Sequence, residues 1–183
     1  MILGTTNEKK TEQFMSAWKK SIGENVCQFQ IKKPSTIMTS WLKNKNNSNA
    51  FIVEKSCMLQ DINHQSRVIR CKEQDLFANS IQSLIKEGCE VKQLALNWQD
   101  RIDFILLDDL SLQSIRFKDE IIAQATELES GTKQQQFNAD FFIMTETLNG
   151  LLEDLLNAFV KQSLKIENTN IDIDNVISMA ETG

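Results

Sequence analysis

Apolar residues return along this chain at two spacings, near four and at two, and the switches between them lay out its elements. Phe14, Trp18 and Ile22 recur every fourth residue. That places them on one face of a helix that Asn7 can cap and Gly23 can end. Before it, Met1 to Thr5 reads as a strand end; after it, Cys27, Phe29 and Ile31 alternate with polar neighbours as on a half-buried strand. Pro34, the only proline, suits the first turn of a second helix with Ile37, Trp41 and Leu42 facing inward. Lys43 to Asn49, KNKNNSN, is a polar loop. Phe51–Leu59 and Arg67–Lys72 are expected strands. Gln74 to Gly88 is an expected helix with Leu76, Phe77, Ile81, Leu84 and Ile85 on one side and Gly88 as its stop.

The clearest pattern follows. Val91–Trp98, Ile102–Leu107 and Leu112–Phe117 are three short apolar runs parted by Gln99-Asp100 and Asp108-Asp109, which reads as a three-stranded meander. On its last strand Ile115 and Phe117 point one way, and Ser114, Arg116 and Lys118 the other. A helix is expected to about Glu129, then a polar break, GTKQQQ. Phe137–Val160 then carries Phe141, Met144, Leu148, Leu151, Leu152, Leu155, Leu156 and Phe159 as a broad apolar stripe, with Gly150 a local weakness. The expected fold class is α+β: an antiparallel sheet with a three-stranded meander, packed by helices and closed by a long amphipathic C-terminal helix. Residues 1–65 form a basic α/β segment and 66–162 hold the strand, helix, meander and C-terminal helices. Residues 163–183 form a polar tail expected to be disordered.

Composition narrows the function. The chain has 183 residues, 41% hydrophobic and 25% charged, ordinary for a globular protein. No apolar run approaches the ~20 residues that span a bilayer. Met1-Ile2-Leu3 gives way at once to Gly and Thr, so no signal-peptide core is read and a cytoplasmic location is expected. Cys27, Cys57, Cys71 and Cys89 form no CxxC pair and His64 is the only histidine, so a zinc site is not expected and the thiols read as small buried apolar groups. Asp100, Asp103, Asp108 and Asp109 raise a metal-dependent nuclease, but Asp108-Asp109 falls in a turn that favours Asp for backbone reasons. One histidine and six glycines leave little for acid–base catalysis or a phosphate-cradling loop. No enzyme activity, cofactor, metal or small-molecule substrate is expected. Net charge is −5, yet residues 1–74 hold 12 Lys and Arg against 6 Asp and Glu, and residues 75–183 hold 8 against 19. Such asymmetry is a hint of a polyanion partner on the basic side.

Arg67, Arg70 and Lys72 lie on one expected strand, and Lys92, Arg101, Arg116 and Lys118 in or beside the meander. A sheet face bearing such residues can rest on phosphates and release counterions, giving affinity without sequence preference. The runs VIRCKEQDL (Val68–Leu76), KQLALNWQDRIDFILLDD (Lys92–Asp109), IRFKDE (Ile115–Glu120) and FNADFFIMT (Phe137–Thr145) together resemble the carboxy-terminal half of the recombination-associated RdgC family, in the family's order and spacing. The resemblance implies a nucleoid-associated, non-enzymatic protein that holds duplex DNA without marked sequence preference. It also implies a closed homodimeric ring and restraint of RecA-driven strand exchange. Arg70, Lys72 and Gln74 carry over as the foremost DNA contacts, followed by Lys92, Arg101, Arg116 and Lys118. The chain departs from the family in three ways. It lacks most of an amino-terminal half; Glu73 stands where a second basic residue is frequent; Leu110 stands where glycine is common, and a leucine there would resist positive φ. The rival reading is a protein-interaction or oligomerisation module without direct DNA binding, separated from the first by titrating a random duplex at low and moderate salt.

Overall fold

The computed structural model of the chain describes residues 7–23, 31, 33–45, 49–127 and 132–180. The chain divides into two units, Met1–Ile31 and Lys32–Gly183. The first contributes one described element, helix α1 (Glu8–Ile22). Asn7 caps it as expected, its side-chain oxygen accepting from the Lys10 amide at 3.1 Å. Gly23 ends it at φ 78°, a conformation that penalises any Cβ, and donates its N–H to the Lys19 carbonyl. The strand expected at Met1–Thr5, and Cys27 and Phe29 of the next one, lie outside the described residues.

The second unit is α+β. It opens with α2 (Pro34–Asn44), which buries Ile37, Met38, Trp41 and Leu42 completely. Strands β1 (Phe51–Asp61), β2 (Val68–Cys71), β3 (Cys89–Trp98), β4 (Ile102–Leu107) and β5 (Leu112–Phe117) form one antiparallel sheet in the order β2-β1-β3-β4-β5. Residues 51–61 therefore share a sheet with the strands that follow. Helix α3 (Asn79–Lys86) lies between β2 and β3; α4 (Asp119–Glu127) and α5 (Lys133–Ala180) close the chain. Residues directly opposite in an antiparallel pair share a face. Leu94↔Leu106, Leu96↔Phe104 and Trp98↔Ile102 thus define one face, and all six side chains are buried. The pairs between them, Gln93↔Leu107, Ala95↔Ile105 and Asn97↔Asp103, belong to the second face.

The meander matches its expected bounds at β4 and β5 and starts two residues early at β3. Gln99 and Asp100 join β3 to β4 with φ of 49° and 54°. With Arg101 they make a three-residue loop, closed by the Arg101 amide on the Trp98 carbonyl at 2.8 Å, and the Asn97 side chain braces it by accepting from the Asp100 amide at 2.9 Å.

Helices α3 and α5 differ from the sequence reading. Helix α3 starts at Asn79 rather than Gln74 because Asp75 draws the chain into a turn first. Its carboxylate accepts from the Phe77 amide at 2.9 Å and its carbonyl from the Ala78 amide at 3.2 Å. The break read as GTKQQQ already contains the start of α5. Thr132 and Gln135 form a capping box, the Thr132 amide donating to Gln135 Oε1 at 2.8 Å and the Gln135 amide to Thr132 Oγ1 at 3.4 Å. The helix then runs to Ala180, past the point at which the apolar stripe ends. That stripe divides: Leu151, Leu155 and Phe159 are buried, while Phe141, Met144 and Leu156 are exposed. Gly150 sets a close approach rather than a weakness, since a Cβ there would lie 3.2 Å from Cη2 of Trp98.

Leu110 takes the left-handed conformation its side chain disfavours, at φ 66°, with its N–H on the Leu107 carbonyl at 3.0 Å. The hairpin geometry prevails over a cost of about 1–2 kcal/mol. Leu110→Gly is expected to relieve that strain and, after the added entropy of the unfolded chain, to stabilise the protein by about 0.5–1 kcal/mol in urea unfolding. An unchanged or lower midpoint would show that the leucine repays its strain in packing.

Candidate nucleic-acid interface

The second face of the sheet gathers part of the expected basic set. Arg70 lies on β2 opposite Met58, which pairs with Gln93 on β3 and through it with Leu107, so these four form one row across the sheet. Asn97, Asp103 and Arg116 form a second row on the same face. Arg70 and Arg116 therefore share a face but sit on opposite edge strands. Four inter-strand steps across the sheet and four residues along it, from the Gln93 row to the Asn97 row, separate them by about 23 Å.

At the β2 edge, Arg70, Lys72 and Gln74 are all exposed. Lys72 falls one residue beyond the strand that was expected to carry it. Gln74 is anchored by its backbone N–H on the Lys55 carbonyl of β1 at 3.2 Å. Lys55, itself exposed, is a cation the sequence reading passed over, since Glu54 beside it cancels it in any local count of charge. Arg70 and Lys72 rim a hollow of about 220 Å³ whose wall includes Ser56, Met58, Gln93 and Ile105. Glu73 also lines it, at φ 50°.

At the other edge Arg101, Arg116 and Lys118 come together. The Lys118 amide donates to the Arg101 carbonyl at 2.9 Å, and the Arg101 guanidinium lies 5.6 Å from the centroid of the Trp98 ring. Arg116 projects from β5 directly opposite Asp103 and is exposed. Lys118 is not a free cation: its Nζ lies 2.8 Å from Asp103 Oδ2. The hydrogen bond with Asp103 raises the Lys118 pKa above its ordinary value. Lys92 is likewise paired, 3.0 Å from Asp108 Oδ2. Of the seven expected contacts, five make no salt bridge among the described residues: Arg70, Lys72, Gln74, Arg101 and Arg116, the last still acting on Asp103 through its charge.

Of the four aspartates that suggest a metal site, Asp103, Asp108 and Asp109 have other partners. Asp103 also accepts from Asn97 Nδ2 at 2.7 Å, and Asp109 receives the Ser111 amide at 2.8 Å within the β4–β5 turn. Among the described residues no group of three or more His, Cys, Asp or Glu is placed to hold a metal ion. Partial burial works to raise the Asp103 carboxyl. The hydrogen bonds from Lys118 and Asn97 and the charges of Lys118 and Arg116 outweigh it and hold the group below the usual carboxylate range. Asp103 therefore stabilises the fold above its unfolded-state pKa of about 3.9, and that contribution is lost as pH falls through the lower folded-state value. In a series of urea midpoints from about pH 5 down to 2, Asp103→Asn is expected to show a shallower acid decline than the parent chain. Parallel declines would remove Asp103 from the acid response.

A sequence model of the RdgC family, described as "Putative exonuclease, RdgC", matches residues 1–162. The chain belongs to the RdgC family. It is 32% identical over 160 residues to the recombination-associated protein RdgC of Yersinia enterocolitica, an alignment covering 86% of this chain and 53% of the relative. The RdgC proteins of Yersinia pestis and Yersinia pseudotuberculosis match at the same identity and coverage. The chain thus spans about half the length of the curated relatives it matches. The four stretches that carried the resemblance map onto β2 and the turn after it, the β3–β4 hairpin, β5 with the start of α4, and the first third of α5. No helix among the described residues is long and apolar enough to cross a membrane.

Proposed function

We propose that this chain binds duplex DNA by its sugar-phosphate backbone, without reading sequence, and acts in recombination as a nucleoid-associated brake on RecA-type strand exchange. The observation that carries this is the placement of Arg70 and Arg116, both exposed and neither in a salt bridge among the described residues, on one face of the sheet. Their separation of about 23 Å spans six or seven phosphates of axial rise along one strand, at about 3.4 Å each. Lys72 and Arg101 extend the two ends, and Gln74 adds a neutral donor. The relatives named as recombination-associated support the same reading.

The chain acts as a binder rather than a nuclease. Asp103 and Asp108 neutralise lysines of the same sheet, which suits a scaffold that sets cation positions. It works as a homodimer, and the surface we assign to the second copy is the exposed start of α5, where Phe137 and Phe141 stack at 6.2 Å beside exposed Phe142. The deciding experiment is fluorescence anisotropy of a labelled random duplex against salt. Four cations should give a slope of log K on log salt near −3.6 per chain, about −0.9 each. Absence of binding at low salt, with a dimer still seen by light scattering, would replace this reading with that of an oligomerisation module. Strand nicks in plasmid incubated with Mg²⁺ or Mn²⁺ would replace it with a nuclease.

A further inference from the structure

Two cysteines face each other across the β1–β2 pair. Cys57 and Cys71 are register partners, and both thiols are free and buried. Directly opposite residues in an antiparallel pair have Cα atoms about 4.5–5.5 Å apart, inside the span that a disulfide bridges. The two thiols are near enough for Cys71 to raise the pKa of Cys57. Cys89, also buried, has Asp61 as its register partner and no thiol opposite it in the sheet. Both Cys57 and Cys71 border the 220 Å³ hollow that Arg70 and Lys72 rim, with their side chains on the buried face that Cys57 shares with its partner Leu94.

We propose that Cys57 and Cys71 are an oxidative modification site, converted by peroxide to a reversible disulfide that ties edge strand β2 to β1. In the first step a thiolate attacks one peroxide oxygen; the O–O bond breaks, hydroxide leaves and takes up a proton, and the sulfur becomes a sulfenic acid. The second thiol loses its proton and attacks that sulfur; the S–O bond breaks, water leaves and the S–S bond forms. Two thiols and one peroxide give one disulfide and two waters. Burial, followed by the neighbouring Cys71, pushes the Cys57 thiol up. Oxidation is accordingly slow at neutral pH and faster as pH rises, because the thiolate is the nucleophile. The second step is intramolecular and needs no diffusion. The site stands apart from the nucleic-acid reading: it requires only the register of β1 with β2 and a local opening of the short edge strand β2 that admits peroxide.

The test uses the full chain, treated with hydrogen peroxide at about pH 8, where the thiolate fraction is larger than at neutrality, then denatured and alkylated for intact mass and peptide mapping. The expected result is loss of two of the four alkylatable thiols, a Cys57–Cys71 linked peptide, recovery with dithiothreitol, and a higher melting midpoint for the oxidised form. Cys57→Ser and Cys71→Ser should each form no such link. Four thiols surviving peroxide, a link to Cys27 or Cys89, or irreversible sulfinic acid at Cys57 would each overturn the proposal. Should both serine variants fail to fold, the linked peptide in the oxidised parent chain decides by its presence or absence.

Discussion

Alanine at both Arg70 and Lys72 is expected to weaken binding of a random duplex by about 10- to 100-fold at low salt, and to reduce the salt slope by about 1.8. Both are exposed at the β2 edge with no ion pair among the described residues, so their full charge is available to phosphates. Lys92→Ala and Lys118→Ala are the informative controls. Each lysine already neutralises an aspartate at 3.0 and 2.8 Å, and removing it exposes that carboxylate. Their effect should be smaller and come from the freed negative charge rather than from lost phosphate contacts, leaving the slope nearly unchanged. Anisotropy titrations at several salt concentrations separate the two cases. Equal slope losses for Lys92→Ala and for the Arg70/Lys72 pair would mean that charge acts over the whole surface and not through a defined edge.

The largest loss of stability is expected at Trp41. Its side chain is fully buried, stacks on Phe51 at 6.0 Å and meets the edge of Phe159 at 5.2 Å. Its indole N–H donates to Gln162 Oε1 at 2.6 Å. This one residue joins α2, β1 and α5. Trp41→Ala should cost about 3–5 kcal/mol, the range for deleting a large aromatic from a core. Trp41→Phe keeps most of the apolar volume and gives up the hydrogen bond, at about 1–2 kcal/mol. Urea denaturation followed by circular dichroism measures both. A loss below about 1 kcal/mol for the alanine variant would mean that α2 is not held by this cluster.

What could be read from the sequence follows the range of the interactions. The meander was legible because its signal is local: alternation at period two and a short polar gap between runs. Asn7 and Gly23 announced the ends of α1 for the same reason, each acting through its own side chain or φ. The start of α5 was equally local, Thr132 and Gln135 being a capping pair, but the polar run around them reads as a loop. The order β2-β1-β3 was not legible, since it depends on which distant strands pair. The candidate site inherits that limit. Arg70 and Lys72 could be placed near a strand end, yet nothing local says that Arg116 shares their face. Nor could the pairing of Lys92 and Lys118 be read. Lys92 sits where β3 shifts register against β1, and Lys118 reaches Asp103 beside the irregularity at Ser114, which takes φ 53°. A bulge adds one residue and reverses the simple in-and-out alternation beyond it.

Strand β2 has four residues, lies at the margin of the sheet and is joined to one neighbour only, whereas β3 has ten and is flanked on both sides. Peptide amides in such a short marginal segment open without the rest of the molecule, so deuterium should enter Val68–Cys71 well before Leu94–Trp98. Arg70 thus rides on the part of the sheet that breathes most readily, and a clamped polyanion would be felt there first as slowed isotope uptake.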